Sequence, residues 1–230
     1  MTRNFDQFTQ DYNRLLDEAV ELTGFDADHF AQSKIQKLRR LFPDQVDAPM
    51  DFLDFGCGPG NLFPFFQAGF PRGRYTGTDL SAEMVRRAQS RFPGNHRFHE
   101  MGSDEWKNRS YDLIFAAGVF HHIPREEHES LLKDLCGRLK PTGSLVLWEH
   151  NPLNPFTRKI VRDCAFDRDA VLIPPRQMKR LFQSLPLQDI RIIFTTFFPK
   201  ALRFLLPLES WLSDFPVGGQ YIALGRKRAP

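Results

Sequence analysis

Eight consecutive residues carry most of the chemical information in this 230-residue sequence: Leu53-Asp54-Phe55-Gly56-Cys57-Gly58-Pro59-Gly60. Closely spaced glycines after an apolar strand let backbone approach a ligand without Cβ collisions. They also bring the amides and positive dipole end of the next helix against it. Nineteen residues after Gly60, Asp79 closes a second strand-like segment. A carboxylate there can accept hydrogen bonds from both ribose hydroxyls of a nucleoside cofactor. The glycines read G-x-G-x-G, with Asn61 following, rather than the G-x-G-x-x-G of a dinucleotide loop, so pyrophosphate binding is disfavoured. Four more residues with proton-transfer chemistry sit where apolar strands end: His121 and His122, then Glu149 and His150. An open α/β sheet holds its ligand crevice at strand C-terminal ends, and histidine titrates near neutral pH, so these four are candidate catalytic groups. His96, His99 and His128 fall on strand or helix faces and read as surface groups.

The elements that must position these groups follow from periodicity. Phe5, Phe8, Tyr12, Leu15, Leu16, Ala19 and Leu22 recur at helical spacing up to Gly24, and Phe30, Ile35, Leu38 and Leu41 repeat the pattern before Pro43. From about residue 50, strand and helix patterns alternate, which predicts an α/β sheet with crossover helices. Strands are expected at 52–55, 74–79, 96–101, 113–117, 144–148, 187–196 and 220–225. Helices are expected at 62–68, at 82–91 with Ser81 as N-cap, after Pro124, and at 177–185. Lys140-Pro141-Thr142-Gly143 reads as a turn, and the last two strands as an antiparallel pair.

Composition closes several functional classes. A formal net charge of +3 is too small to drive nucleic-acid binding by counterion release. Cys57, Cys136 and Cys164 are odd in number and form no C-x-x-C pair, so a disulfide framework and a zinc-thiolate site are not indicated, and no carboxylate set predicts a metal. No apolar run reaches the roughly 18 residues of a membrane span. The first residues lack a signal-peptide pattern, which gives a cytoplasmic expectation. The 23 phenylalanines, against 4 tyrosines and 3 tryptophans, are the compositional oddity.

Leu53 to Gly60, Gly77-Thr78-Asp79-Leu80-Ser81, Tyr111-Asp112-Leu113-Ile114, Phe120-His121-His122-Ile123 and Leu139-Lys140-Pro141-Thr142-Gly143 together resemble, in order and spacing, the class I S-adenosylmethionine-dependent methyltransferases. The resemblance covers about residues 50–150. It implies a Rossmann-like, seven-stranded, mostly parallel sheet with a C-terminal antiparallel strand, helices on both faces and a helical N-terminal cap. It also implies S-adenosylmethionine as cofactor. Gly56, Gly58 and Gly60 would line its methionine and ribose portion, with Asp54 holding the loop, Asp79 on the ribose hydroxyls and Leu80 beside the adenine. The family's acidic residue for the adenine amino group would be Ser103 or Asp104, and the backbone carbonyl for the cofactor's amino group would come from Ala117 or Gly118. Tyr12 is similar to an N-terminal aromatic lid.

A single methyltransferase domain spanning 1–230 is expected, with a cap at 1–45, a cofactor-binding core at 50–150 and substrate-side insertions at 151–176 and 196–219. Connections of that length exceed the usual 2–6 residues and commonly carry function. The Asp/Asn-Pro-Pro-aromatic tetrapeptide of many amino-methyltransferases is missing after the fourth strand, where the chain reads Ala116-Ala117-Gly118-Val119. These features favour methylation of an oxygen, or else a nitrogen, of a small-molecule, glycan-linked or lipid-linked acceptor. A non-catalytic S-adenosylmethionine-binding regulatory module and an RNA methyltransferase are the alternatives. The stripe Phe204, Leu205, Leu208, Trp211 and Leu212 reads as core, as an apolar substrate wall, as a homodimer interface or as peripheral membrane contact through 196–215. Phe5, Phe8, Phe156, Phe166, Phe194, Phe197, Phe198, Phe204 and Phe215 are expected to form an apolar lid over the cofactor mouth.

Overall fold

Apolar segments with side chains alternating between two buried faces form the sheet on which everything else rests. A computed structural model describes residues 12–94, 97–164 and 167–228. Its strands are β1 (Met50–Phe55), β2 (Gly73–Asp79), β3 (Arg97–Glu100), β4 (Tyr111–Ala117), β5 (Leu139–His150), β6 (Leu187–Thr195) and β7 (Gln220–Lys227). They make one seven-stranded sheet in the order β3-β2-β1-β4-β5-β7-β6. The first five strands pair in parallel, and β7 runs antiparallel between β5 and β6. The fold class expected from the sequence is thus the one observed, antiparallel end included.

Helices cover both faces. The first face receives α2 (Ala27–Leu41), α3 (Phe63–Gly69) and α4 (Ala82–Arg91), and the second receives α5 (Asp104–Lys107), α6 (His128–Gly137) and α8 (Pro175–Gln183). The strands show why each face is a core: Phe52 and Phe115 point to the first, while Leu53, Phe55, Ile114 and Ala116 point to the second. The helices α1 (Tyr12–Val20) and α7 (Pro155–Asp163) pack on each other beside the cavity described below. Ser81 caps α4 as expected, its Oγ accepting the Met84 N–H at 3.1 Å.

The structure differs from the sequence reading in instructive places. The segment 140–143 is no free turn: it continues β5, with Thr142 at φ 64° and a register shift opposite Tyr111 to Leu113, so a bulge replaces the turn. α7 and α5 were not expected, nor was the 3₁₀ run Lys200–Ser210. Phe204, Leu208 and Trp211 are exposed rather than core. His128 is buried, its Nε2 within 3.0 Å of the carbonyl oxygens of Phe120 and Ile123, so it pins the loop after β4 instead of facing water.

Many of the phenylalanines go to the two cores that flank the sheet. Phe52, Phe55, Phe66, Phe70, Phe115, Phe120 and Phe182 are fully buried, and Phe194, expected in the lid, packs in the core. Phe156, Phe204 and Phe215 are exposed, and Phe5, Phe8 and Phe166 lie outside the described residues. A phenylalanine lid over the cofactor mouth is therefore not what the described residues form. Among the described residues, the phenylalanines that border the cavity described below are Phe30 and Phe115.

Candidate active site

β1 ends by turning through left-handed backbone: Gly56, Gly58 and Gly60 have φ of 81°, 52° and 77°. A side chain at Gly56 would put Cβ 2.3 Å from Val119 Cγ2, so this glycine is required by both conformation and space. The Asp79 carboxylate at the end of β2 clamps the loop, Oδ2 accepting from Gly58 N at 2.8 Å and Oδ1 from Ser81 N at 2.9 Å. Beneath it, Asp54 is buried and accepts from the Tyr75 hydroxyl at 2.5 Å. Burial raises Asp54 to about 7 against the opposing hydrogen bond from Tyr75 and the charge of Lys34. Lys34, on α2, has its own pKa lowered to about 8 by burial, with Asp54 opposing.

A cavity of about 780 Å³ opens over this loop. That is room for a nucleoside cofactor together with a small acceptor, within the usual range for ligand sites. Asp54, Gly56, Gly58, Asp79, Leu80 and Ala117 all border it, as does Gly118. Gly60 does not: its ideal Cβ direction meets Phe92 and Phe98 in the first core instead. Ser103 and Asp104 also lie outside the lining, because residues 103–107 turn into α5, where Asp104 is exposed and Trp106 is driven into the second core. Tyr12 begins α1, but its side chain is outside the described residues.

The opposite wall holds the titratable groups. The turn after β4 brings His121 and His122 to the cavity, and the end of β5 brings His150. Glu149 does not reach it. Glu149 is buried behind His121, Oε2 lying 2.6 Å from His121 Nδ1 and Oε1 accepting from the amides of Val119 (3.2 Å) and Phe120 (2.8 Å). Glu149 is thus a holder of His121, not a group facing the cavity. Asp167, in the insertion after α7, completes the cluster, Oδ1 lying 3.4 Å from His121 Nε2 and 3.1 Å from His122 Nε2. Burial by itself would depress His121, but Glu149 and Asp167 outweigh it and hold its pKa above the ordinary value. Burial lowers His122 and takes His150 down to about 4, the charge of His121 adding to both.

Asp167 and Lys34 are among the cavity residues that sequence reasoning missed. Each had a weak signal: Asp167 sits in a connection longer than its topology needs, and Lys34 interrupts an otherwise regular cap helix. The three cysteines are buried thiols, and burial pushes Cys57 and Cys136 up, away from nucleophilic use.

Residues 52–143, the stretch that builds the loop, the Asp79 strand and the His121 turn, match the family profile described as a methyltransferase domain. That stretch reads as a methyltransferase domain, in line with the resemblance to the class I, S-adenosylmethionine-dependent family. S-adenosylmethionine is the cofactor of that family. Among relatives, the trans-aconitate 2-methyltransferase of Rhodopseudomonas palustris (strain BisB18) is 35% identical over 122 residues, which are 53% of this chain and 46% of that protein. The protein of the same name from Escherichia coli O17:K52:H18 is 36% identical over 147 residues, 61% of this chain and 56% of that protein. The chain spans about half the length of the curated relatives it matches. Solved structures share the fold across nearly the whole domain. A SAM-dependent methyltransferase from Archaeoglobus fulgidus superposes with a TM-score of 0.65 at 14% identity, covering 97% of this chain and 100% of that one. Magnesium protoporphyrin IX methyltransferase from Synechocystis PCC 6803 with bound SAM gives 0.60 at 16% identity, covering 96% and 94%. No helix among the described residues is long and apolar enough to cross a membrane.

Proposed function

We propose that this methyltransferase domain transfers the methyl group of S-adenosylmethionine to an oxygen of a small acceptor, either free or carried on a glycan or lipid. The observation that carries the reading is a single cavity bordered on one wall by the Asp79-clamped glycine loop and on the other by His122, His150 and Asp167. In such a reaction an acceptor oxygen lone pair attacks the methyl carbon. The carbon–sulfur bond breaks toward sulfur, leaving S-adenosylhomocysteine, and any acceptor proton passes to a base. The chain's contribution is mainly to hold nucleophile and methyl in line and shielded from water. Asp79 borders the cavity at the end of β2, where the ribose hydroxyls of the cofactor would lie. Lys34, bordering the same cavity, offers a cation for a carboxylate, whether of the cofactor or of an acceptor.

His122 is the histidine best placed as base for a hydroxyl acceptor, because its ring borders the cavity with the Asp167 carboxylate 3.1 Å from Nε2. The relatives' name, trans-aconitate 2-methyltransferase, supports an organic acid as the acceptor class to test first. A carboxylate is already ionised at neutral pH and would need binding rather than a base. A labelled-methyl transfer screen over di- and tricarboxylic acids, hydroxylated sugars and lipid extracts tests the reading. Labelled product from an oxygen acceptor supports it; product only from amines, or none from any fraction, overturns it.

Exposed Phe156, Phe204 and Trp211 lie in the two insertions that border the cavity through Thr157, Thr196 and Gly219, and this supports the lipid-linked version.

A further inference from the structure

The cluster opposite the glycine loop has more order than a proton acceptor requires. His121 is fixed from behind: Glu149 holds Nδ1 at 2.6 Å, and two backbone amides hold Glu149 in turn. This arrangement gives the ring one orientation and leaves Nε2 directed at Asp167. Asp167 is buried, at 6% exposure, and its Oδ1 meets hydrogen-bond geometry with no partner among the described residues despite the two imidazoles near it. His150 completes the group from the end of β5, its ring centroid 5.2 Å from that of His121. One donor atom from each of His121, His150 and Asp167 lies within 4.8 Å of the other two.

Two imidazoles and one carboxylate, from three separate elements, are a recurrent ligand set for late first-row divalent metals. A carboxylate on the far nitrogen of a ligating histidine is the usual outer partner that fixes its orientation. With metal–ligand bonds of about 2.0–2.2 Å, donors sit about 3–4 Å apart, so closure of about an ångström suffices. We propose that His121 Nε2, His150 and Asp167 form a binding site for a divalent transition-metal ion of the zinc, cobalt or iron class, with Glu149 as the orienting partner of His121. Imidazole donors argue against magnesium and calcium, which take oxygen ligands. His121 and His150 border the cavity, so the ion's remaining positions face the space where an acceptor oxygen would lie, and there it would act as a Lewis acid without redox change. The site does not depend on which atom of an acceptor is methylated.

The test is titration of the untagged full chain with Co²⁺ alone, followed by visible ligand-field absorption, with Zn²⁺ competition and a thermal melt and S-adenosylhomocysteine affinity on every variant. The expected result is one Co²⁺ per chain, displaced by Zn²⁺. Asp167→Asn and His150→Ala should each weaken binding at least tenfold, and Glu149→Gln about 10–100-fold. His99→Ala, on β3, should leave it unchanged. Asp167→Asn is isosteric and keeps the proposal testable should His150→Ala fail to fold. Absence of saturable binding, or equal binding by wild type and Asp167→Asn, overturns the metal site and leaves an ion-pair network only. A loss of S-adenosylhomocysteine binding in wild type would instead strike the cofactor reading.

Discussion

Asp79 and Asp167 each use one short side chain to fix something larger. Asp79 ties the glycine loop to the start of α4 through Gly58 and Ser81, and Asp167 ties the insertion after α7 to the paired histidines. His122→Gln, tested with a hydroxyl acceptor, should lower kcat by 10²–10⁴ with little change in KM, the usual size of a lost base. With a carboxylate acceptor the same variant should change kcat much less, so paired steady-state assays separate the two acceptor chemistries. At this scale the sequence was legible wherever a residue's role depends on its neighbours in the chain. The glycines and Asp79 are separated by one strand, one helix and one turn, so their meeting follows from strand order. Asp167 meets His121 across 46 positions through a connection that has no repeating pattern, and nothing local announces it.

At the scale of elements, the β1 turn and the opposite ends of the same strands make opposite demands. Gly56→Ala would force both a left-handed backbone on alanine and a clash with Val119, at a cost of about 1–3 kcal/mol. A lowered melting temperature together with weaker S-adenosylhomocysteine binding would check it. At the other end of the strands, Asp51 of β1 receives the Arg74 guanidinium at 2.6 and 2.8 Å and Lys140 Nζ at 2.6 Å, while Lys140 also reaches Asp112 at 2.7 Å. The Arg74 hydrogen bond, with Lys140 adding, holds Asp51 down to about 2 against the opposing effect of burial. A depressed carboxylate stabilises the fold above its unfolded value of 3.8, and that contribution is lost as pH falls from about 4 to about 2. After discounting for the exposure of Arg74, it is on the order of 1–2 kcal/mol. Lys140→Met should therefore narrow the difference in melting temperature between pH 6 and pH 3; an unchanged difference would show that the cluster does not stabilise. Element types were readable because a buried sheet imposes long apolar runs. The 140–143 bulge was not, since Pro, Thr and Gly serve a turn and a bulge equally well, and α7 was hidden by the two prolines that flank its start.

For the whole molecule, the phenylalanine excess marks the difference between composition and placement. Periodicity places an aromatic residue on an element but does not say which face of that element the rest of the chain covers. Phe194 therefore went to the second core, while Phe204 and Trp211, at 71% and 83% exposure, stayed outside. If those exposed rings serve a lipid-bearing acceptor, the wild type should sediment with anionic vesicles and Phe204→Ser/Trp211→Ser should not. Absence of wild-type sedimentation would remove the lipid-linked version and leave water-soluble acceptors. The central claim is that the Asp79-clamped loop binds S-adenosylmethionine, and calorimetry with S-adenosylhomocysteine on wild type, Asp79→Asn and Asp79→Ala tests it most directly. Hydrogen bonds to a charged acceptor contribute about 1.5–3 kcal/mol each, so Asp79→Ala should bind at least tenfold more weakly, with Asp79→Asn between it and wild type. Equal affinities across the three proteins, each folded by its melting curve, would contradict it.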